Sequence, residues 1–188
     1  MKKLTTLFLA AAAAFAVLPA FGQVKMKYQP DPVFGQDRIK KLHDASPAKA
    51  AVAPAKPRKM LIFSRTSGFR HYGGIVAAKE VLKHMGEKLG VWETVISDDV
   101  NEFTPENLKK YDVVILNNPT AACFGPTNVE LDQMSKEDAK KAVQNSLQYC
   151  KNLVEYVKNG GGVVGLHSSP DCYNYDNIRC WEYTNLLG

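Results

Sequence analysis

Four short apolar runs, separated by helical patterns, constrain the fold of this chain most strongly. They are KMLIFS at 59–64, VWETVIS at 91–97, DVVILNN at 112–118 and GVVGLH at 162–167. Continuous apolar runs that stop abruptly at polar residues are typical of buried parallel strands. Because a helix-containing segment joins each run to the next, the sequence predicts one parallel sheet in a layered α/β domain.

The connecting segments carry the start and stop signals of helices. One helix is predicted from Gly73, because a set of apolar residues falls on one helical face. That set is Ile75, Ala78, Val81, Leu82, Met85 and Leu89. Thr104 before Pro105 predicts an N-cap and a first helical residue. Ser135 with Asp138 predicts the capped start of a longer helix that ends at Gly160.

The first 22 residues have the three regions of a secretory signal peptide. Lys2 and Lys3 precede an alanine-rich apolar stretch, which closes on small residues up to Gly22. An uncleaved anchor is the alternative, but the small-residue site favours cleavage. We therefore expect an exported protein, periplasmic or extracellular, with no stable transmembrane segment after cleavage.

Residues 23–58 are rich in Pro, Ala and Lys and lack a core-forming pattern, so we expect a flexible arm. The arm carries eight Lys or Arg against three Asp or Glu, whereas residues 59–188 carry fourteen against sixteen. The basic balance of the chain therefore comes from the leader and the arm. Nothing in the charge of residues 59–188, the predicted folded domain, indicates a nucleic-acid partner.

The four cysteines leave the redox state open. They are Cys123, Cys150, Cys172 and Cys180. An exported domain can oxidise them, and four cysteines allow three pairings. Cys172 and Cys180 are the closest in sequence and are the favoured bridge, with free thiols as an equal alternative.

Polar loops follow three of the predicted strands. They are the segments 65–71, 117–120 and 167–171. In an open α/β sheet the ligand crevice lies outside the carboxyl ends of the strands. We therefore expect His71 and His167 to reach the same crevice, with their side chains within about 10 Å of each other.

Several segments resemble the ThuA-like (trehalose utilisation) domains, which share the layout of class I glutamine amidotransferases. The matching segments are LIFSRTSGFRH, FTPENLKKYDVVILNN, LVEYVKNGGGVVGLHSSPD and WEYTNLLG. The resemblance implies a flavodoxin-like three-layer sandwich over 59–188, with the first strand central in the sheet. Such domains usually continue past NLLG, so we expect a partial domain and an incomplete sheet.

The resemblance also implies a small-molecule carbohydrate, a disaccharide or keto-sugar, as the partner. The turn reads Gly165-Leu166-His167-Ser168 where the related amidotransferases carry a nucleophilic cysteine, so cysteine-dependent glutamine hydrolysis is not expected. A Ser168-His167-Asp171 triad is disfavoured, because sequence neighbours rarely have triad geometry.

Residue types in the loops suggest roles in such chemistry. The predicted catalytic residues are His167, His71 and Asp171, which transfer protons or, alternatively, hold a divalent metal. The predicted substrate-binding residues are Arg65, Ser67, Arg70, Asn117 and Ser168.

A noncatalytic carbohydrate-binding or adaptor module of the cell envelope is the second hypothesis. Aromatic side chains near the loops could stack on sugar faces in either case. They are Phe69, Tyr72, Tyr173, Tyr175 and Trp181.

The leader gives the first testable prediction. We expect the mature exported protein to begin near Gln23, because cleavage after Gly22 follows the small-residue site. Mass spectrometry of the exported protein measures this directly. A mature chain that still begins at Met1 would refute the prediction.

Overall fold

The structure, a computed structural model, describes residues 29–175 and 178–187. The predicted signal peptide lies outside these residues. The helices are α1 Gln36–Asp44, α2 Tyr72–Leu89, α3 Pro105–Leu108, α4 Asn128–Gln133, α5 Lys136–Lys158 and α6 Trp181–Leu187. The strands are β1 Lys59–Phe63, β2 Glu93–Ile96, β3 Val113–Asn117, β4 Gly162–Leu166, β5 Asn174–Tyr175 and β6 Ile178–Arg179. Within the described ranges, no helix has the length and apolar character needed to cross a membrane.

The main sheet has four parallel strands in the order β2-β1-β3-β4. Leu61 of β1 pairs with Val95 on one side and with Val114 on the other. The first strand is therefore central, and the prediction of a parallel, flavodoxin-like sheet is confirmed. Strands β5 and β6 form a separate antiparallel hairpin.

The two faces of the sheet are buried unequally. One face carries the larger core, in which Phe63, Leu116 and Leu153 of α5 are fully buried. The other face is a small cluster of Met60, Ile62 and Ile115. It packs against partly buried side chains of α2, the loop after it and the strands β3 and β4, namely Leu82, Trp92, Val113 and Leu166. Of the six predicted core positions on α2, Ile75 alone is fully buried. The other five are half-buried, so the predicted stripe overstates the burial of α2.

Both predicted helix starts are confirmed. The Thr104 hydroxyl accepts a hydrogen bond from the Asn107 N–H, and the Ser135 hydroxyl accepts one from the Asp138 N–H. Helix α4 is a short helix that the sequence analysis does not predict. It begins with a capping box in which Thr127 and Glu130 satisfy each other's backbone N–H groups.

The segment expected to be a flexible arm contains helix α1, which packs against α2. The His43 ring stacks on the His84 ring, with centroids 3.7 Å apart, and His43 Nε2 lies 2.7 Å from a Glu80 carboxylate oxygen. Phe34 is buried just before the helix. The arm prediction is therefore wrong for this part, because polar and aromatic contacts to α2 replace the aliphatic pattern that the sequence lacks.

All four cysteines are buried free thiols, so the favoured Cys172–Cys180 bridge is not formed. Instead, Cys123 lies next to Cys172, and Cys150 next to Cys180. Burial raises the pKa of Cys123 and Cys150, whereas the neighbouring Cys150 thiol lowers the pKa of Cys180 to about 7. The free-thiol alternative is the one that the structure shows.

The close approach of β4 to the following turn gives a stability prediction. A Cβ at Gly165 would lie 2.9 Å from the Ser169 Cβ, which is too close for two carbon atoms. We expect Gly165→Ala to destabilise the fold by about 1–3 kcal/mol, measured by urea unfolding. Gly35→Ala is the control, because a Cβ there meets nothing within 4 Å. Equal midpoints for Gly165→Ala and the unchanged chain would contradict the prediction.

Candidate functional site

The loops after β1, β3 and β4 meet at the carboxyl edge of the sheet, as expected for a parallel α/β domain. Residues of these loops and of the start of α2 line an open cavity of about 520 Å³. Its lining residues are Phe69, Arg70, His71, Tyr72, Gly73, Gly74, Asn118 and His167. We call this space the histidine cavity.

His167 is presented to the cavity by a tight turn after β4. Its φ angle is +52°, in the left-handed region that non-glycine residues rarely adopt, at a cost of about 1–2 kcal/mol. Ser169 holds the turn, because its hydroxyl lies 2.8 Å from the Leu116 carbonyl oxygen and 2.9 Å from that of Leu166. Tyr183 in turn donates to the Ser169 carbonyl, at 3.1 Å. The imidazole is thus exposed on a rigid support.

His71 lies beside His167, at the N-cap of α2. The two ring centroids are 4.5 Å apart and the rings are nearly perpendicular, at 80°. The expected distance of less than 10 Å is therefore confirmed. The Phe69 ring contacts His71 from another side, with centroids 4.8 Å apart.

The environment of His71 favours its neutral form. Partial burial and the neighbouring His167 lower the pKa of His71 below its ordinary value of 6.5, and Asp171 opposes them by raising it. A His with a lowered pKa is a proton acceptor at neutral pH. Asp171 is thus close enough to act electrostatically on the His71 imidazole.

The two predicted arginines have different positions. Arg70 lines the histidine cavity, but its Nε and Nη2 donate to the two carboxylate oxygens of Asp31, at 2.9 and 2.8 Å. Arg65 instead donates to Glu130 at 2.7 Å and to the Gly125 carbonyl. It lines a neighbouring polar cavity of about 320 Å³ rather than the histidine cavity.

Besides Arg65, three more predicted substrate-binding residues are not among the residues that line the histidine cavity. Asn117 is fully buried, and its amide donates to the Ser64 hydroxyl and the Ile75 carbonyl. Ser67 is buried, and its N–H donates to the Thr120 carbonyl. The Ser168 hydroxyl is buried and has no hydrogen-bond partner within the part of the chain that the structure describes. The structure therefore places Asn117 at the end of β3, and Ser67 and Ser168 within the loops around the histidine cavity, rather than in its lining.

Asn118 is a polar lining residue that sequence reasoning missed. It follows β3 with φ +55°, and its amide donates to the Asn117 side chain at 2.7 Å. The run ends in two asparagines, and asparagine is the residue that most readily adopts a positive φ after glycine. The sequence therefore contained a signal for a positive φ in the pair of asparagines at the end of β3. That signal applies to Asn118, whereas the predicted site residue was Asn117.

Of the aromatic residues predicted to stack on sugar, some line the histidine cavity and others do not. Phe69 and Tyr72 line the histidine cavity, and Phe69 is 59% exposed. Tyr173 is fully buried, and its hydroxyl accepts a hydrogen bond from the Phe124 N–H. Trp181 is exposed but lines neither polar cavity, and the Arg179 guanidinium lies over its ring. The Tyr175 side chain lies outside the described residues.

The first turn of α2 supplies hydrogen-bond donors to the cavity. Gly73 and Gly74 line it, and the first N–H groups of a helix have no partner within the helix. Together with the helix dipole, they favour anionic or oxygen-rich ligands. A Cβ at Gly74 would lie 3.2 Å from the Asn118 amide oxygen, so glycine keeps this wall close to Asn118.

The predicted metal ligands do not form a metal-binding cluster. In the described ranges, no three His, Cys, Asp or Glu side chains are arranged to hold a metal ion, and this includes His71, His167 and Asp171. What the arrangement provides is two imidazoles, a nearby carboxylate and a helix N-terminus. Such a group of residues is suited to proton transfer beside a bound oxygen.

A larger cavity, of about 810 Å³, lies on the opposite side of the domain, between the arm and the amino ends of the strands. It is lined by prolines and alanines of 47–55 and by apolar side chains such as Met85 and Trp92. It contains no histidine or cysteine. We therefore place the functional site at the smaller histidine cavity.

Comparison with known proteins gives one result. Residues 59–188 match the family model ThuA, which is described as trehalose utilisation. No curated protein and no solved structure matches the chain.

The coupling of His71 to its neighbours can be measured by NMR titration. We expect His71 to titrate below 6.5 and to move further down in Asp171→Asn, because the carboxylate that raises its pKa is removed. His167→Ala should move the pKa of His71 upward, because a neighbouring positive charge is lost. A His71 that titrates above 6.5 and responds to neither change would contradict this geometry.

Proposed function

The chain belongs to the ThuA family, and we propose that its histidine cavity transfers protons on a carbohydrate, either a disaccharide or its keto derivative. The observation that carries the proposal is the pair of imidazoles with centroids 4.5 Å apart in one open cavity. We take the carbohydrate from the family description, and we infer proton transfer from the two imidazole side chains.

His71 is the proton acceptor in this mechanism. Its lowered pKa keeps it neutral near pH 7, so it can take a proton from a carbon next to a sugar carbonyl. The electron pair left on that carbon forms an enolate. The positive charge gained by His71 is stabilised by Asp171, whose carboxylate already raises the pKa of this imidazole.

The enolate oxygen is stabilised by the first turn of α2, which also lines the cavity. The N–H groups of Gly73 and Gly74 belong to the first turn of α2, where developing negative charge is favoured. His167 hydrogen-bonds to this oxygen or returns a proton to the neighbouring carbon. Proton removal and return on one carbon, or on two adjacent carbons, give epimerisation or isomerisation.

A noncatalytic carbohydrate-binding module is the second candidate. The specific observation in its favour is the pair of aromatic rings at the cavity, Phe69 and Tyr72, of which Phe69 is more than half exposed. Exposed rings of this kind stack on the apolar faces of sugars and serve binding as well as catalysis. The two candidates differ only in what the histidines do.

We also propose that the protein acts outside the cytoplasm. The basis is the signal-peptide pattern of the first 22 residues. Free sugars or disaccharides in the cell envelope would then be the accessible ligands.

The decisive variant is His167→Ala. We expect turnover of a keto-disaccharide to fall about 10²- to 10⁴-fold, the usual contribution of a general acid or base, with binding affinity largely kept. His71→Ala should behave in the same way. The measurement pairs turnover rates with calorimetric binding of the same sugar.

Trp181→Ala is the control, because it removes a larger exposed ring that lines neither polar cavity. We expect this variant to keep both turnover and affinity. Unchanged turnover in His167→Ala would remove the histidine from the mechanism. Equal sugar binding by the unchanged chain and by all variants, with turnover in none of these proteins, would instead support the noncatalytic carbohydrate-binding module.

A further inference from the structure

The segment before the matched domain contacts the histidine cavity directly. The family match begins at residue 59, yet Asp31 binds Arg70, which lines the cavity next to His71. The Gln29 N–H also donates to the Tyr72 hydroxyl, at 2.7 Å. Residues outside the family match therefore contact two of the side chains that line the histidine cavity, and they line the neighbouring polar cavity themselves.

The contact between Asp31 and Arg70 has the geometry of ligand recognition. Two parallel hydrogen bonds, of 2.9 and 2.8 Å, join the guanidinium to both carboxylate oxygens. This fork is the arrangement by which arginine selects a planar carboxylate. The Ser64 carbonyl accepts from Nη1 at 3.0 Å and fixes the guanidinium from the domain side. The orientation of Arg70 thus has one support that does not depend on Asp31.

The charges around Arg70 favour an anion at this position. Lys79 Nζ lies 3.9 Å from Asp31 and 3.6 Å from Asp98, and its side chain is mostly buried. Arg65, on the far side of the neighbouring cavity, is already paired with Glu130. Without Asp31, the domain would present Arg70 and Lys79 against the single carboxylate of Asp98.

Asp31 lies on a segment without regular secondary structure. Residues 29–35 form no helix or strand, and the Asp31 side chain is 31% exposed, against 14% for Arg70. Helix α1 keeps the segment nearby through the contacts of His43 with His84 and Glu80. A carboxylate tethered in this way competes at an effective concentration on the order of millimolar.

We propose that Asp31 occupies the place of a ligand carboxylate, and that the cavity takes a sugar that carries a carboxylate, such as a uronate. This inference deepens the proposed function, because it names the class of sugar at the same site. With its carboxylate on Arg70, beside the polar cavity that Asp31 lines, the sugar extends past Arg70 and has its ring in the histidine cavity, since Arg70 lines both spaces. Asp31 returns to Arg70 when the sugar leaves.

The test measures binding of glucuronate to the full chain by calorimetry, with glucose as the neutral probe. We expect Asp31→Asn to bind glucuronate about fivefold more tightly than the unchanged chain, because the competing carboxylate loses its charge. That factor corresponds to ~1 kcal/mol for a partly exposed ion pair. Asp37→Asn, the same charge change at an exposed position of α1, should bind glucuronate as the unchanged chain does.

Arg70 variants test the guanidinium. Arg70→Lys keeps the positive charge but lacks the fork, and we expect it to lose most of the affinity for glucuronate. Amide hydrogen exchange should show faster exchange at 29–35 when glucuronate is bound, and no change with glucose. The affinity of Arg70→Lys thus reports on binding of the ligand carboxylate. Hydrogen exchange reports separately on the displacement of residues 29–35.

Two outcomes would overturn the inference. If Asp31→Asn binds glucuronate no more tightly than the unchanged chain, Asp31 only holds Arg70 in place. If glucose 6-phosphate binds and glucuronate does not, the ligand group is a phosphate rather than a carboxylate. His167→Ala separates this inference from the proposed function, because it should keep the glucuronate affinity even where turnover is lost or absent.

Discussion

The turn between β4 and the 3₁₀ segment Ser169–Asp171 is the constraint on which the site depends. It forces His167 into a positive φ, and the strain is held by hydrogen bonds from Ser169 to the carbonyls of Leu116 and Leu166. Strain of this kind persists only where the surrounding structure over-determines it, and it is concentrated at functional sites. The backbone geometry that places the His167 imidazole at the cavity is thus maintained by hydrogen bonds to Leu116 of β3 and Leu166 of β4.

The strands of the sheet can be predicted from the sequence, and so can the positions of His71 and His167 in the loops after the strands. Both predictions depend on local patterns. Short apolar runs ending in polar residues predict the strands, and parallel pairing brings their carboxyl ends to one edge. His71 and His167 are therefore expected to meet, and they do. The capping signals of Thr104 and Ser135 are equally local, and both are confirmed.

The features that the sequence did not reveal depend on long-range contacts. Nothing near Asp31 indicates that it binds Arg70, 39 residues away in the chain. The burial of Tyr173 and the proximity of Cys150 to Cys180 likewise depend on how α5, α6 and the hairpin pack together. Asn117 and Asn118 show the same limit on a smaller scale, because a one-residue difference decides which side chain is buried and which lines the cavity.

The central claim is that His71 and His167 move a proton on a carbon of the bound sugar. Incubation of a keto-sugar with the protein in D₂O, followed by proton NMR, tests this most directly. The account predicts that deuterium replaces hydrogen at the carbon next to the carbonyl with the unchanged chain, and that His167→Ala and His71→Ala both slow this exchange by at least about 10²-fold. Equal exchange rates in the unchanged chain and in both variants would contradict the account.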